Sequence, residues 1–288
     1  MAENSGIEWT HHTFNPWIGC TKVSAACDHC YAEAWDKRFS GGERWGARAP
    51  RTRTSAANWA KPYKWNKQAE ADGVRLRVFC ASLADVFDNH RSIDPGWRAD
   101  LWQLIDDTPH LDWLLLTKRP QNIAAMMPSD VGLGGNRGSV WIGTTVENQA
   151  EADRRIPHLL STPAAVRFLS CEPLLGPIKL ECIWLGGRKR VDGRGCVFGE
   201  GPVGVSGGRP SWQKPPHIDW VITGGESGSN FRPADPDWFR SLRDQCSAAG
   251  VPFLFKQWEG RHQREIKARG RELDGVVWDG YPTPEAAA

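Results

Sequence analysis

Three cysteines stand within eleven residues near the start of the chain. Cys20, Cys27 and Cys30 lie in "NPWIGCTKVSAACDHCYAE" as C-x6-C-x2-C. Thiols this dense pair as disulfides, hold zinc or hold an iron–sulfur cluster. The opening "MAENSGIEWTHH" is polar and has no apolar h-region, so no signal peptide is expected. No apolar run reaches the roughly 18 residues of a membrane span, so none is expected. A reducing, cytoplasmic setting follows as an expectation, and there stable disulfides are rare. The eight cysteines then read as metal ligands, catalytic groups or buried filler. Cys182, Cys196 and Cys246 have no local partners and are given no role. The net charge of +2 names no partner.

A structural zinc site wants four ligands. Here His11, His12, His29 or Cys80 would have to join the three thiols. Three thiolates also suit a [4Fe-4S] cluster that leaves one iron without a protein ligand. That open position can chelate S-adenosylmethionine, whose reductive cleavage yields a 5′-deoxyadenosyl radical. The thiols alone leave iron and zinc both open. A metal-dependent hydrolase is a weaker alternative, because the eight histidines form no H-x-H or H-E-x-x-H pattern.

The surrounding elements must place these thiols. Seven apolar runs read as strands: "NPWIGC", "RVFCASLADVF", "LDWLLLTKRP", "SVWIGTTVEN", "AVRFLSCEPLLG", "IDWVITGGESG" and "PFLFKQWEG". Helical stretches follow several of them. "DPGWRADLWQLIDD" offers Asp94 as N-cap, and "DPDWFRSLRDQCSAAG" is bounded by Asp235 and Gly250. Continuous apolar strands alternating with helices indicate an α/β fold with parallel strands. A single TIM-like or partial (β/α) barrel spanning 1–288 is expected, with the cysteine loop after strand one. Two stretches break the pattern. Residues 37–67 form a basic, aromatic insertion, and residues 186–216 form a Gly/Pro-rich one.

Barrel chemistry sits at the C-terminal ends of strands. Those ends are polar here. They carry Ser82 and Asp85, then Thr117, Lys118 and Arg119, then Thr144, Thr145, Glu147 and Asn148. The later strands end in Ser170, Cys171 and Glu172, in Glu226, and in Lys256, Gln257 and Trp258. A closing barrel would bring these to one mouth with Cys20.

The order of segments resembles a family of "three-Cys-motif" proteins of unknown function, often phage-borne. The matching stretches include "TFNPWIGCTKVSAACDHCYAE", "LLLTKRP", "DWVITGGESG" and "ELDGVVWDGYP". That family in turn resembles radical S-adenosylmethionine enzymes such as spore photoproduct lyase. Their usual motif is C-x3-C-x2-C with an aromatic residue before the last cysteine. This chain has six residues in the first gap and His29 at the aromatic position.

The resemblance implies that Cys20, Cys27 and Cys30 hold the cluster, with Tyr31 packed beside it. Ser82, Asp85, Lys118, Arg119, Glu147, Glu172 and Glu226 would surround the cofactor. Lys118 or Arg119 would pair its carboxylate, and the glutamates would take ribose hydroxyls or the amino group. Lys256 would point into the mouth. Cys171 is either a hydrogen-atom donor or small buried filler. An electron-donor protein would be a partner. The 37–67 stretch holds nine Lys and Arg against one acid, Glu43, interleaved with Trp45, Trp59, Tyr63 and Trp65. Clustered cations among aromatics suit phosphate contact and base stacking. Arg44, Arg48, Arg51 and Arg53 are the candidate contacts, and a nucleic acid or nucleotide is the expected substrate. The alternative is a zinc-stabilised nucleic-acid-binding module without redox chemistry.

Overall fold

The computed structural model describes residues 5–128, 139–189, 196–197 and 216–283. Seven parallel strands form one open sheet in sequence order. They are β1 (His12–Phe14), β2 (Leu76–Cys80), β3 (Leu111–Thr117), β4 (Val140–Thr145), β5 (Val166–Cys171), β6 (Trp220–Gly224) and β7 (Phe253–Gln257). The main helices are α1 (Tyr31–Ser40), α2 (Lys61–Asp72), α3 (Pro95–Asp106), α4 (Gln149–Leu160) and α5 (Pro236–Ala249). The result is the expected partial (β/α) barrel. Asp94 and Asp235 cap α3 and α5 by accepting from Gly96 N and Asp237 N, and Gly250 ends α5 at φ 67°. The free edge of β7 is covered by the C-terminal segment. There Phe255 N donates to Trp278 O, and Gly280 N donates to Phe253 O.

The period of two along each strand splits the core into two layers. Val78, Trp113, Leu115, Ile142, Leu169, Val221 and Phe255 face the helices. Phe79, Leu114, Trp141, Phe168, Trp220, Ile222 and Leu254 face the concave side, where Trp9 and Tyr281 fill the base. The concave layer stops short of the C-terminal strand ends, and the cavity described below begins there.

Two expectations need correction. The first strand of the sheet is His12–Phe14, not "NPWIGC". Pro16 has no N–H to extend the ladder, and Trp17–Ile18 instead pairs antiparallel with Thr52–Arg53. The basic, aromatic 37–67 stretch contributes to α1, to that small ribbon, to a short helix at Ala56–Trp59 and to α2. Cys182 and Cys196 do have partners, since their sulfurs bond to each other across a Cα separation of 5.8 Å. Most of the 186–216 insertion lies outside the described residues. No helix among the described residues is long and apolar enough to cross a membrane.

Close packing between neighbouring strands gives a first test. Gly143 on β4 lies beside Phe168 on β5, and a Cβ there would sit 2.3 Å from the ring. Gly143→Ala should therefore cost about 1–3 kcal/mol in urea unfolding. A neutral result would mean that the ring moves freely aside.

Candidate functional site

The loop after β1 is bound to the sheet from its first residues. Asn15 is fully buried. Its Oδ1 accepts from Leu83 N at 2.6 Å, and its Nδ2 donates to Ser82 Oγ at 2.9 Å. Gly19 has φ 119°, and a Cβ there would meet Arg44 O at 2.5 Å, so only glycine fits before Cys20. The chain then crosses the mouth of the half-barrel. It makes one 3-10 turn at Ala25–Cys27 and enters α1 directly after Cys30.

Three buried carboxylates, each paired with an arginine, hold this loop. Asp85 accepts from Thr117 Oγ1, Lys118 N and Arg119 Nη1 at 2.8, 3.2 and 2.9 Å. Arg119 Nη2 then donates to Thr21 O at 2.8 Å, and its Nη1 lies 3.7 Å from Cys20 Sγ. Glu147 has no exposed surface. It accepts from Ala26 N at 3.2 Å and from Arg155 Nη1 at 2.9 Å. Glu226 accepts from Arg232 N and Nε at 2.7 and 2.9 Å, and His29 Nδ1 lies 3.1 Å away. Arg232 continues to Ala25 O at 2.9 Å and to Asp28 Oδ2 at 3.2 Å. Burial alone would raise the Glu226 pKa. Arg232 and His29 outweigh it and hold the carboxyl below the usual range.

Asp85, Arg119, Glu147 and Glu226 thus stand at the strand ends holding the loop, Asp85 by way of Arg119. Arg155 and Arg232, which complete the clamps, were not singled out in the sequence. Their signal was present: Arg155 lies two helical turns into α4 after Glu147, and Arg232 follows Glu226 by six residues.

Behind the loop lies a cavity of about 560 Å³. Cys20, Cys27 and Cys30 all line it, as do Ser82, Lys118, Glu172 and Lys256. None of the three cysteines is in a disulfide. Burial, with Asp85 nearby, pushes the Cys20 thiol up to about 11, while Arg119 acts in the opposite direction. Tyr31 also lines the cavity, and its hydroxyl donates to Ser82 O at 2.7 Å. Lys256 Nζ lies 2.9 Å from Glu172 Oε1. Gly224 lets this carboxylate approach, since a Cβ there would sit 2.8 Å from Oε1. Lys118 is half-buried in the cavity wall and forms no ion pair among the described residues. Trp9, Phe79 and Leu116 supply an apolar floor.

Strand parity places Cys171 elsewhere. Ser170 and its neighbour Glu172 line the cavity, whereas Cys171 is wholly buried in the helix-facing layer with Cys246. That is the position of packing filler and not of a hydrogen-atom donor. Three candidates for a fourth zinc ligand are committed elsewhere: Cys80 faces the helices, His12 stacks on Trp65 at 4.3 Å, and His11 Nδ1 accepts from Arg77 N. The fourth candidate, His29, lines the cavity with the cysteines, and its Nδ1 meets Glu226. Among the described residues, no three His, Cys, Asp or Glu are close enough to hold one ion.

The candidate nucleic-acid arginines are mostly absorbed into the fold. Arg51 is 3% exposed and bonds Asp88, Thr21 Oγ1 and the carbonyls of Gly46 and Ala49. Arg44 is tied to the buried Asp36 at 2.6 Å. Arg53 pairs with Asp100 at 2.6 Å and covers the Trp59 ring. Arg48 alone of the four is exposed without an ion pair among the described residues.

The clamps make two tests. Arg155→Met leaves Glu147 buried without its cation, so it should cost about 3 kcal/mol in urea unfolding and speed hydrogen exchange at Ala26. A loss under about 0.5 kcal/mol, the size of an ordinary surface change, would remove Glu147 as an anchor. Glu226 titrates lower in the folded chain, so its pairing stabilises above the unfolded glutamate value of about 4.3. That contribution fades as pH falls through the lower folded value. The stability gap between wild type and Glu226→Gln should therefore narrow between about pH 6 and pH 3. A gap constant with pH would mean the carboxylate charge is irrelevant.

Two solved structures of spore photoproduct lyase variants bear a weak likeness to this fold. One, with bound AdoMet and dinucleoside spore photoproduct, gives a TM-score of 0.38 at 12% identity, over 57% of this chain and 46% of that one. The other gives 0.38 at 12% identity, over 60% and 50%. The chain spans about half the length of either. No curated protein matches it. The family model described as "Protein of unknown function (DUF5131)" matches residues 4–282, and the chain belongs to that family.

Proposed function

We propose that this protein is an iron–sulfur enzyme of the radical S-adenosylmethionine type, acting on a nucleic acid or nucleotide. One observation carries the reading. Three unpaired thiols, separated in sequence by six and two residues, line one cavity at the C-terminal mouth of a half-barrel. The donor set fits the group by its chemistry: three soft thiols line one cavity, on a loop that buried ion pairs hold down. A thiol as basic as Cys20 is a poor thiolate alone, but a bound metal takes the place of its proton.

When bound, the cluster and S-adenosylmethionine supply one-electron cleavage to a 5′-deoxyadenosyl radical. The residues around them bind, orient and exclude water. Lys118 is the cation left to meet the cofactor's carboxylate, because Arg119 is spent on Asp85 and Thr21. Glu172, oriented by Lys256, accepts from hydroxyl or amino groups. Trp9, Phe79 and Leu116 keep the floor dry. An electron-donor protein and a reducing, cytoplasmic setting belong to this reading.

Anaerobic purification and reconstitution test it. About four irons and four sulfides per chain are expected, with a broad visible charge-transfer band. Cys20→Ala should lose the iron. Lys118→Ala should keep the iron and bind S-adenosylmethionine roughly tenfold more weakly, as for a lost charge-assisted bond. A colourless protein with one zinc and no iron would end the reading.

A further inference from the structure

The α1 helix leaves the last cysteine of the motif and exposes a row of rings. Tyr31, Trp35 and Phe39 are spaced four apart and are 56%, 37% and 61% exposed. Residues at this spacing lie on one face of a helix, and the three span about 12 Å. The adjoining face holds the buried Ala32 and Asp36. Large rings left in water along one stripe are unusual in a chain that buries most of its tryptophans. Trp35 and Phe39 lie 5.2 Å apart with an interplanar angle of 43°, so they form one continuous platform. Its inner end reaches the cavity, which Tyr31 lines.

A cation borders this platform: Arg38 lies over the Phe39 ring at 5.2 Å. It forms no ion pair among the described residues. The acids of the same helix are paired away from the rings, Asp36 with Arg44 and Glu33 with Lys22 and Lys37 at 3.0 and 2.8 Å.

We infer that the α1 face is a stacking platform for a single-stranded nucleic acid, which it leads towards the cavity. Aromatic faces accept bases of any sequence, and flanking cations track the phosphates. Ring positions about 6 Å apart along the helix do not match the 3.4 Å rise of stacked duplex bases, so unstacked bases are the fit. A protein partner of this face would not need the cation. The fate of the strand at the cavity rests on the proposed function, but binding to the platform does not.

The test is fluorescence anisotropy of the full chain, metal-free and reconstituted, with labelled DNA and RNA oligonucleotides of about 12 nucleotides, within the footprint of single-strand sites. Single strands should bind more tightly than the matching duplex, and more weakly as salt rises from roughly 50 to 200 mM. The double variant Trp35→Ala/Phe39→Ala should lose at least about tenfold in affinity, while its binding to heparin, a polyanion without bases, stays unchanged. Its thermal midpoint and iron content should match wild type, since both rings are exposed. An unchanged oligonucleotide affinity, or equal losses for oligonucleotide and heparin, would overturn the inference. So would the absence of oligonucleotide binding by the wild-type chain. A chain that takes up no iron yet shows ring-dependent binding would end the radical reading and leave this one standing.

Discussion

The structure of the site depends on buried carboxylates paired with arginines at the strand ends. An irregular loop laid across a barrel mouth brings backbone N–H and C=O groups out of water, and each must find a partner. Here Glu147 takes the N–H of Ala26, Arg119 reaches the carbonyl of Thr21 and Arg232 reaches that of Ala25. Each charge is itself neutralised by its partner at hydrogen-bond distance. Such pairs add little net stability compared with apolar packing, yet removing one partner is costly. Their value is directional: they fix where Cys20, Cys27 and Cys30 stand relative to the strands.

Strand parity determines what is left over. On β3, Leu114, Leu116 and Lys118 are in phase, and on β5 so are Phe168, Ser170 and Glu172. On β7, Leu254 and Lys256 follow the same rule. The floor of the cavity and its polar walls are therefore successive residues of the same strand faces. Of the charged residues the mouth presents, Lys118, Glu172 and Lys256 are not used to hold the loop. The division of labour is physical. Residues beyond the strand ends, such as Arg119, Glu147 and Glu226, reach the loop, while residues in phase with the concave layer face the cavity.

Much of this was legible in the sequence. Six of the seven strands, the caps of α3 and α5 and the parallel order follow from apolar runs and turn residues. The first strand slipped because "NPWIGC" is the more apolar stretch, while "HTF" is three residues long and its burial comes from tertiary packing, as with His12 on Trp65. The two readings of Cys171 were left side by side for want of the parity rule, which Phe168 and Ser170 already encoded. The basic stretch misled because charge counts say nothing of pairing. Asp88, which neutralises Arg51, is thirty-seven residues away, and Asp100, which meets Arg53, lies on α3. The aromatic face of α1 straddles the start of the stretch chosen for its charge, so its fourfold spacing was divided between two segments.

The six-residue gap between the first two cysteines also acquires a cause. The loop is tied at Thr21 to the end of β3, and at Ala25 to Arg232, beyond the end of β6. The carbonyls of both residues, and the Ala26 N–H that Glu147 takes, lie inside the six residues between Cys20 and Cys27. The long gap therefore supplies the backbone groups on which all three clamps close, where the usual three-residue gap would leave room for fewer. It sets Cys20 against the Asp85–Arg119 pair, and Cys27 and Cys30 beyond the other two clamps.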